Sequence, residues 1–259
     1  MIRMTTFYKG DCVEHMKRLP SSSVDFIYFN PPFATTYQEW DKSLPWPDVF
    51  RECFRVLKPV GTLAIHCSVP FNYTLIRTAP IAPAYSWYWD KMATTTPLLA
   101  KKQPLRHIEE ILIWKRGQKY NPQRVGSDVR MTDANAKTRY VHKESLKPSR
   151  VLKQVIGKYQ THLINMKRHV RGFATRPNEL IELMIKSYTN EGDVILDPTC
   201  YEGLSGVIAS RLGRKWIGID KYFYPKLLIQ SASLPAGGAG DSSSESSDSD
   251  SDVDVIKHV

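Results

Sequence analysis

Asn30-Pro31-Pro32-Phe33 follows directly on an apolar run, VDFIYFN (24–30), and combines side chains suited to hold a ligand. The Asn amide offers a carbonyl acceptor, and the fixed proline ring holds the Pro31 carbonyl rigidly beside it. Phe33 adds a flat face. Two acceptors and an aromatic face make a socket for a planar ring bearing an amino group. The same four residues also suit a turn that does no more than end a strand. A second group, Asp197-Pro198-Thr199-Cys200-Tyr201-Glu202-Gly203, again follows an apolar strand pattern and precedes a helical one. Such a turn aims backbone N–H groups and a helix N-terminus at an anionic group of a ligand. About 20 residues further on, KWIGID ends in Asp220, a spacing that suits an acid hydrogen-bonded to ribose hydroxyls. An ordinary strand–helix–strand crossover with a surface Asp is the plainer alternative.

Both groups need strands to carry them, and the pattern supplies these. DVFRECFRVLK (48–58) places Val49, Phe50, Cys53, Phe54 and Leu57 at helical spacing. Pro59 and Gly61 are expected to stop that helix, and TLAIHC (62–67) reads as the next buried strand. EEILIWKRG (109–117) is a further strand. After it the periodicity lapses from 117 to 172, where basic residues are interspersed with Tyr120, Tyr140 and Tyr159. That stretch reads as an inserted surface region. Order returns with a helix at 176–189, a strand running into a turn at 193–200, a helix at 207–213 and a strand at 215–220. Alternating strands and helices imply βα units and a mostly parallel central sheet, an α/β fold whose ligands bind at the carboxyl edge.

Charge separates three zones. Asp241–Val259 carries six acids against one lysine, which leaves a net +15 on the preceding residues. Residues 101–171 hold 18 Lys and Arg against 5 Asp and Glu. A polyanion, most commonly nucleic acid, is the expected partner of such a segment, and a solvated basic face is the alternative. From Pro235 the composition turns to Gly, Ser and Asp, so 235–259 is expected to be a disordered acidic tail. Cys12, Cys53, Cys67 and Cys200 are scattered without a C-x-x-C pair, so neither a disulfide framework nor a metal site is expected. No apolar run reaches 18 residues and no secretory signal opens the chain, so an intracellular protein with no membrane span is expected.

In their order along the chain these motifs resemble the DNA amino-methyltransferases, in particular the circularly permuted beta-type group. KGDCVEHMKRLPSSSVDFIYFNPPF (9–33) is similar to the family's Gly-Asp pair followed by its (D/N)-P-P-(Y/F) motif. RVLKPVGTL (55–63) and residues 89–117 resemble its next blocks, ATRPNELIELMI (174–185) the helix beside the cofactor, and 197–220 the cofactor loop D-P-(F/T)-x-G-S-G. Tyr201 and Glu202 stand where that loop usually has Gly and Ser, which predicts a narrowed pocket, and Gly172-Phe173 replaces a common His-Pro.

The resemblance implies a Rossmann-like, S-adenosylmethionine-dependent methyltransferase domain over 1–234, with target recognition in the inserted region at about 118–171. It implies that Asn30, Pro31, Pro32 and Phe33 hold the target base. Asp11 and Cys12 would meet the cofactor's adenine. Asp197, Thr199, Tyr201 and Gly203 would meet its methionine part, and Asp220 its ribose. Arg176 would stand near the same site, in a place where the family usually has Lys. Double-stranded DNA is the implied partner; a cognate restriction endonuclease and a homodimer are both compatible with the family. Asn before Pro-Pro favours adenine N6, with cytosine N4 as the alternative; a DNA-binding protein on a degenerate methyltransferase fold is the other. No Pro-Cys dipeptide occurs, which argues against the cysteine-nucleophile route to carbon 5 of cytosine.

Overall fold

The structure is a computed structural model that describes residues 4–94, 97–117, 119–133, 152–168, 176–227 and 254–257. Tyr140, Gly172-Phe173 and the tail from 235 to 253 lie outside the described residues. Among those described, eleven strands and five α-helices follow one another: β1 (Met4–Lys9), α1 (Cys12–Arg18), β2 (Val24–Phe29), α2 (Trp46–Val56), β3 (Leu57–Cys67), α3 (Phe71–Thr78), β4 (Tyr85–Asp90), β5 (Ile108–Lys115), β6 (Arg124–Asp133), β7 (Leu152–Tyr159), β8 (Leu163–Asn165), α4 (Asn178–Tyr188), β9 (Val194–Asp197), α5 (Leu204–Arg211), β10 (Lys215–Asp220) and β11 (Asp254–Lys257).

Nine strands form one sheet in the order β11-β1-β10-β9-β2-β3-β5-β4-β8. β1, β10, β9, β2 and β3 pair in parallel, and β5 runs antiparallel between β3 and β4. The mostly parallel α/β sheet is therefore as expected, and the strand leading to Asn30 precedes in sequence the one leading to the Asp197 loop. Alternation along β2 sends Ile27 and Phe29 to one face and Phe26 and Tyr28 to the other. The first pair joins a core with Val13, Met16, Val49, Phe50, Cys53 and Leu75 from α1, α2 and α3. The second pair packs with Leu180, Met184, Tyr188 and Ile208 from α4 and α5. Burial on both faces explains why β2, β9 and β10 read as continuous apolar runs rather than alternating ones.

Three expectations need correction. β3 begins at Leu57, not at Thr62: Leu57 pairs with Val24, the ladder shifts, and pairing resumes at Phe26 with Thr62. The strand absorbs Pro59 and Gly61 as an irregularity where the sequence suggested a stop. The inserted region is narrower than 118–171. Pro122–Thr161 forms a separate unit containing the antiparallel ribbon β6–β7, whereas β8 belongs to the main sheet and pairs in parallel with β4. Last, the acidic tail is not without structure throughout, because Asp254–Lys257 pairs antiparallel with β1. Val255 and Ile256, both β-branched, interrupt the Ser/Asp composition there and favour an extended backbone.

Candidate active site

The carboxyl ends of β1, β10, β9 and β2 lie side by side, and two cavities of about 370 and 400 Å³ open along them. The first is walled by Asp11, Cys12, Asn30, Pro31, Pro32, Phe33, Arg176, Thr199, Tyr201 and Asp220, together with Trp40 and Phe223. The second shares Asn30, Arg176, Thr199 and Tyr201 and adds Tyr28, Asp197 and Ser205. The residues picked out from the sequence thus come together, with one exception. Gly203 walls neither cavity; it caps α5 with φ 80°, a left-handed conformation that glycine adopts without a Cβ clash.

The Asn30 turn and the Asp197 loop are joined directly. Thr199 Oγ1 donates to the Asn30 carbonyl at 2.9 Å, which ties the two segments together. Phe33 stacks on Phe71 with ring centroids 5.2 Å apart, which fixes its plane at the cavity wall. Beyond Phe33 the chain is held by a residue the sequence did not single out. The buried Asp41 carboxylate accepts from the amides of Ala34, Thr35 and Thr36 and from Thr36 Oγ1, at 2.7–2.9 Å. These bonds outweigh burial and hold the carboxyl below its ordinary range. A carboxylate five to seven residues after the amides it binds leaves no periodic signal in sequence.

Two of the three acids expected at the ligand do backbone work. Asp11 caps α1, with Oδ1 accepting from the Val13 and Glu14 amides. Asp220 accepts from Tyr222 and Phe223 amides on Oδ1 and from the Tyr201 amide on Oδ2, at 2.8–2.9 Å. It therefore ties the loop after β9 to the segment after β10. A carboxylate has about four lone-pair sites, so little acceptor capacity remains for a ribose. Asp197 differs. It accepts from Ser205 Oγ and weakly from the Thr199 amide, and burial pushes its carboxyl up to about 7, helped by the charge of Asp220.

Tyr201 sits at φ 51°, where a side chain costs about 1–2 kcal/mol, and its ring meets Phe223 edge-on at 4.4 Å. Tyr201 is among the residues that wall both cavities. Cys12 is buried, and burial pushes its thiol up to about 12. It lines the first cavity as a neutral group.

A second polar cluster escaped the sequence reading. Buried Glu109 of β5 receives Arg176 Nη2 at 2.6 Å and His66 Nδ1 at 2.7 Å on the same oxygen, with Lys91 Nζ 3.7 Å from the other. Burial opposes its charge, but Arg176, His66 and Lys91 outweigh it and take the carboxyl down to about 2. Burial also lowers His66, against the pull of Glu109, whose oxygen its Nδ1 faces.

A doubly wound α/β chain with its ligand site along the carboxyl edge of the sheet is the class these features define. The family model described as DNA methylase, for N6 and N4 methyltransferases, matches residues 24–227, and the chain belongs to that family. It is 28% identical over 229 residues to the type II methyltransferase M.BamHI of Bacillus amyloliquefaciens, covering 82% of this chain and 53% of that one. With the DNA adenine methyltransferase YhdJ of Escherichia coli it shares 26% over 242 residues, covering 83% of this chain and 78% of the other. The chain thus spans about half the length of M.BamHI. In fold it resembles the cytosine-N4-specific PvuII DNA methyltransferase, with a TM-score of 0.58, 18% identity, and coverage of 91% of this chain and 88% of that one. It also resembles TTHA0409 of Thermus thermophilus, solved in complex with S-adenosyl-L-methionine, at TM-score 0.55, 20% identity and coverage of 87% and 92%. The methyltransferase fold expected from the sequence is the fold found.

Proposed function

We propose that this chain methylates the exocyclic N6 amine of adenine in double-stranded DNA with S-adenosylmethionine as donor. The observation that carries the reading is the junction of the two cavities. Asn30 and Thr199, bonded to each other, stand in the walls of both, so a donor with its adenine end in the first cavity and its amino-acid end in the second passes Asn30, where the base is held. The cavities fit a long ligand with unlike ends. Each lies within the roughly 300–1,000 Å³ typical of small-molecule sites, and the second presents a buried carboxyl that an ammonium group would ionise.

When bound, S-adenosylmethionine supplies an electrophilic methyl group on a sulfonium centre. The protein's part is positioning and charge. An exocyclic amine on an aromatic ring is a poor nucleophile because its lone pair is delocalised. The Asn30 side-chain oxygen and the Pro31 carbonyl accept its N–H groups, draw the nitrogen toward tetrahedral geometry and stabilise the positive charge developing there. Phe33, locked by Phe71, stacks on the base and offsets part of the few kcal/mol needed to bring it out of the duplex. Asp197 receives the donor's α-ammonium, and Asp11 keeps Oδ2 available for its adenine. The basic residues between 118 and 171 contact phosphates and target bases.

Incubating the protein with duplex DNA and methyl-labelled donor, then separating the nucleosides, tests the reading. Label in N6-methyladenine is the expected result. Label in N4-methylcytosine would correct the base, and none in DNA would overturn the activity.

A further inference from the structure

β4 and β8 run in parallel with Asp90 beside Asn165, and their pairing continues past both strands. The Met166 amide donates to the Asp90 carbonyl at 3.2 Å and the Arg168 amide to the Lys91 carbonyl at 3.3 Å. Two cations are thereby set side by side beyond the carboxyl end of the sheet. Lys91 keeps 13% of its side chain exposed and meets Glu109 at 3.7 Å. That carboxylate already holds Arg176 and His66 on its other oxygen, and Tyr28 covers His66 with its ring edge-on at 5.2 Å. Arg168 Nε is buried without a hydrogen-bond partner. The neighbouring acids are engaged elsewhere: Asp90 with His107 and the Met92 amide, Glu110 with Asn72 and Ser86. Lys91, Arg168 and Arg176 therefore stand against a single carboxylate.

Burial lowers the Lys91 ammonium, and Arg176 and Arg168 lower it further against the pull of Glu109. A buried guanidinium N–H without a partner adds a cost of about 1–3 kcal/mol. An anion between Lys91 and Arg168 relieves both. The setting selects which anion. In the sheet order β4 lies three strands from β2, about 14 Å at about 4.8 Å per strand, on the same edge as Asn30. A duplex whose base is held at Asn30 covers that distance in about four base pairs, so its backbone reaches the two cations. Phosphate oxygens form short, strong bonds with guanidinium and ammonium groups. We propose that Lys91 and Arg168 form a site for one backbone phosphate of the DNA, carried by the main sheet. This rests on the DNA reading above and adds to it an anchor outside the inserted unit. A phosphate contact reads no sequence but fixes the register of the duplex, so this one holds the DNA at a set distance from Asn30.

Binding of a labelled random-sequence duplex, followed by fluorescence anisotropy over a range of salt, tests this. Lys91→Gln with Arg168→Gln should reduce the slope of log affinity against log salt by about 0.9, the value for one phosphate. An unchanged slope overturns the site. A fall of about 1.8 means two phosphates and overturns the shared one. Lys17→Gln with Arg18→Gln removes the same charge from the last turn of α1 and should leave the slope as it is. An equal fall there reflects net charge alone and overturns the site. Arg168→Gln by itself should keep the melting temperature, because its Nε has no partner to lose in the free protein. Its affinity at low salt should fall about tenfold, the loss of one charged hydrogen bond. A lowered melting temperature with unchanged affinity marks a structural side chain and overturns the proposal, and this single variant decides the matter if the double one does not fold. A wild-type chain that binds no duplex at low salt overturns the DNA reading itself, a result recognisable without any variant.

Discussion

Asp197→Asn should stabilise the ligand-free protein at alkaline pH while weakening its hold on an ammonium-bearing ligand. Burial pushes this carboxyl from 3.8 to about 7, against the bonds from Ser205 and Thr199. In the unfolded chain it ionises near about 3.9. Between about pH 4 and pH 7 the folded protein therefore holds one proton more than the unfolded chain, and stability falls as pH rises through that window. At about 1.36 kcal/mol per pH unit the whole cost is about 4 kcal/mol, of which about 1.4 kcal/mol is incurred between pH 6 and pH 8. Asparagine carries no charge and escapes this. It recovers less than the full amount, because Trp216 Nε1 donates to Ser205 Oγ and leaves that hydroxyl as a donor toward position 197. The amide oxygen can face Ser205, but its NH2 then faces the Thr199 amide. Urea unfolding of both proteins at pH 6 and pH 8 measures the difference. The variant should gain about 1.4 kcal/mol on wild type between the two, whatever other groups titrate. Ligand binding adds an independent readout. S-adenosylhomocysteine should bind wild type about fivefold tighter at pH 7 than at pH 6, below the range where its own amine loses its proton, and Asp197→Asn should lose that dependence. Parallel pH profiles for the two proteins would refute the reasoning.

Asn30→Ala should lower methyl transfer by about a hundredfold, roughly 3 kcal/mol for one transition-state acceptor, with cofactor affinity near wild type in calorimetry. Asp41→Ala releases four donors from one carboxylate and should cost about 2–3 kcal/mol in denaturant unfolding, with transfer reduced as the segment after Phe33 loosens. Asp220→Ala should lose stability and cofactor affinity together, because its carboxylate fixes two loops; affinity lost at full stability would show that it serves the ligand alone. Neutralising Lys147, Arg150 and Lys153 should reduce the slope of log DNA affinity against log salt by about 2.7, and an unchanged slope would place DNA contacts elsewhere.

The strands that carry the site were legible because they are buried on both faces. β2, β9 and β10 are short, largely apolar runs; β2 leads directly into Asn30, and β9 and β10 end in Asp197 and Asp220. β1 was not, since Thr5 and Thr6 are buried polar residues in a strand that owes its place to pairing with β10 and β11. β8 spans three residues and exists only because β4 offers it an edge. The Tyr28–His66–Glu109–Arg176 cluster was hidden for a related reason. Its members come from β2, β3, β5 and the approach to α4, and only the sheet order brings them together. No window of sequence contains two of them at a telling interval.

Of the four acids at this edge, three have their charge spent on backbone amides, and this decides how each should be read. Asp11 fixes the start of α1, Asp41 the segment after the Asn30 turn, and Asp220 the two loops around the first cavity. Each is held by the amides it accepts from, and at Asp41 those bonds keep the carboxyl below its ordinary range. Asp197 alone is buried with too few donors to keep its charge at neutral pH. A fold gains nothing from such a group, because Asn would pack in its place at lower cost. A cation arriving from the cavity relieves the imbalance. A buried carboxyl short of donors in a cavity wall is what a protein presents to a cationic group before it binds, and it is the part of this site that stability does not explain.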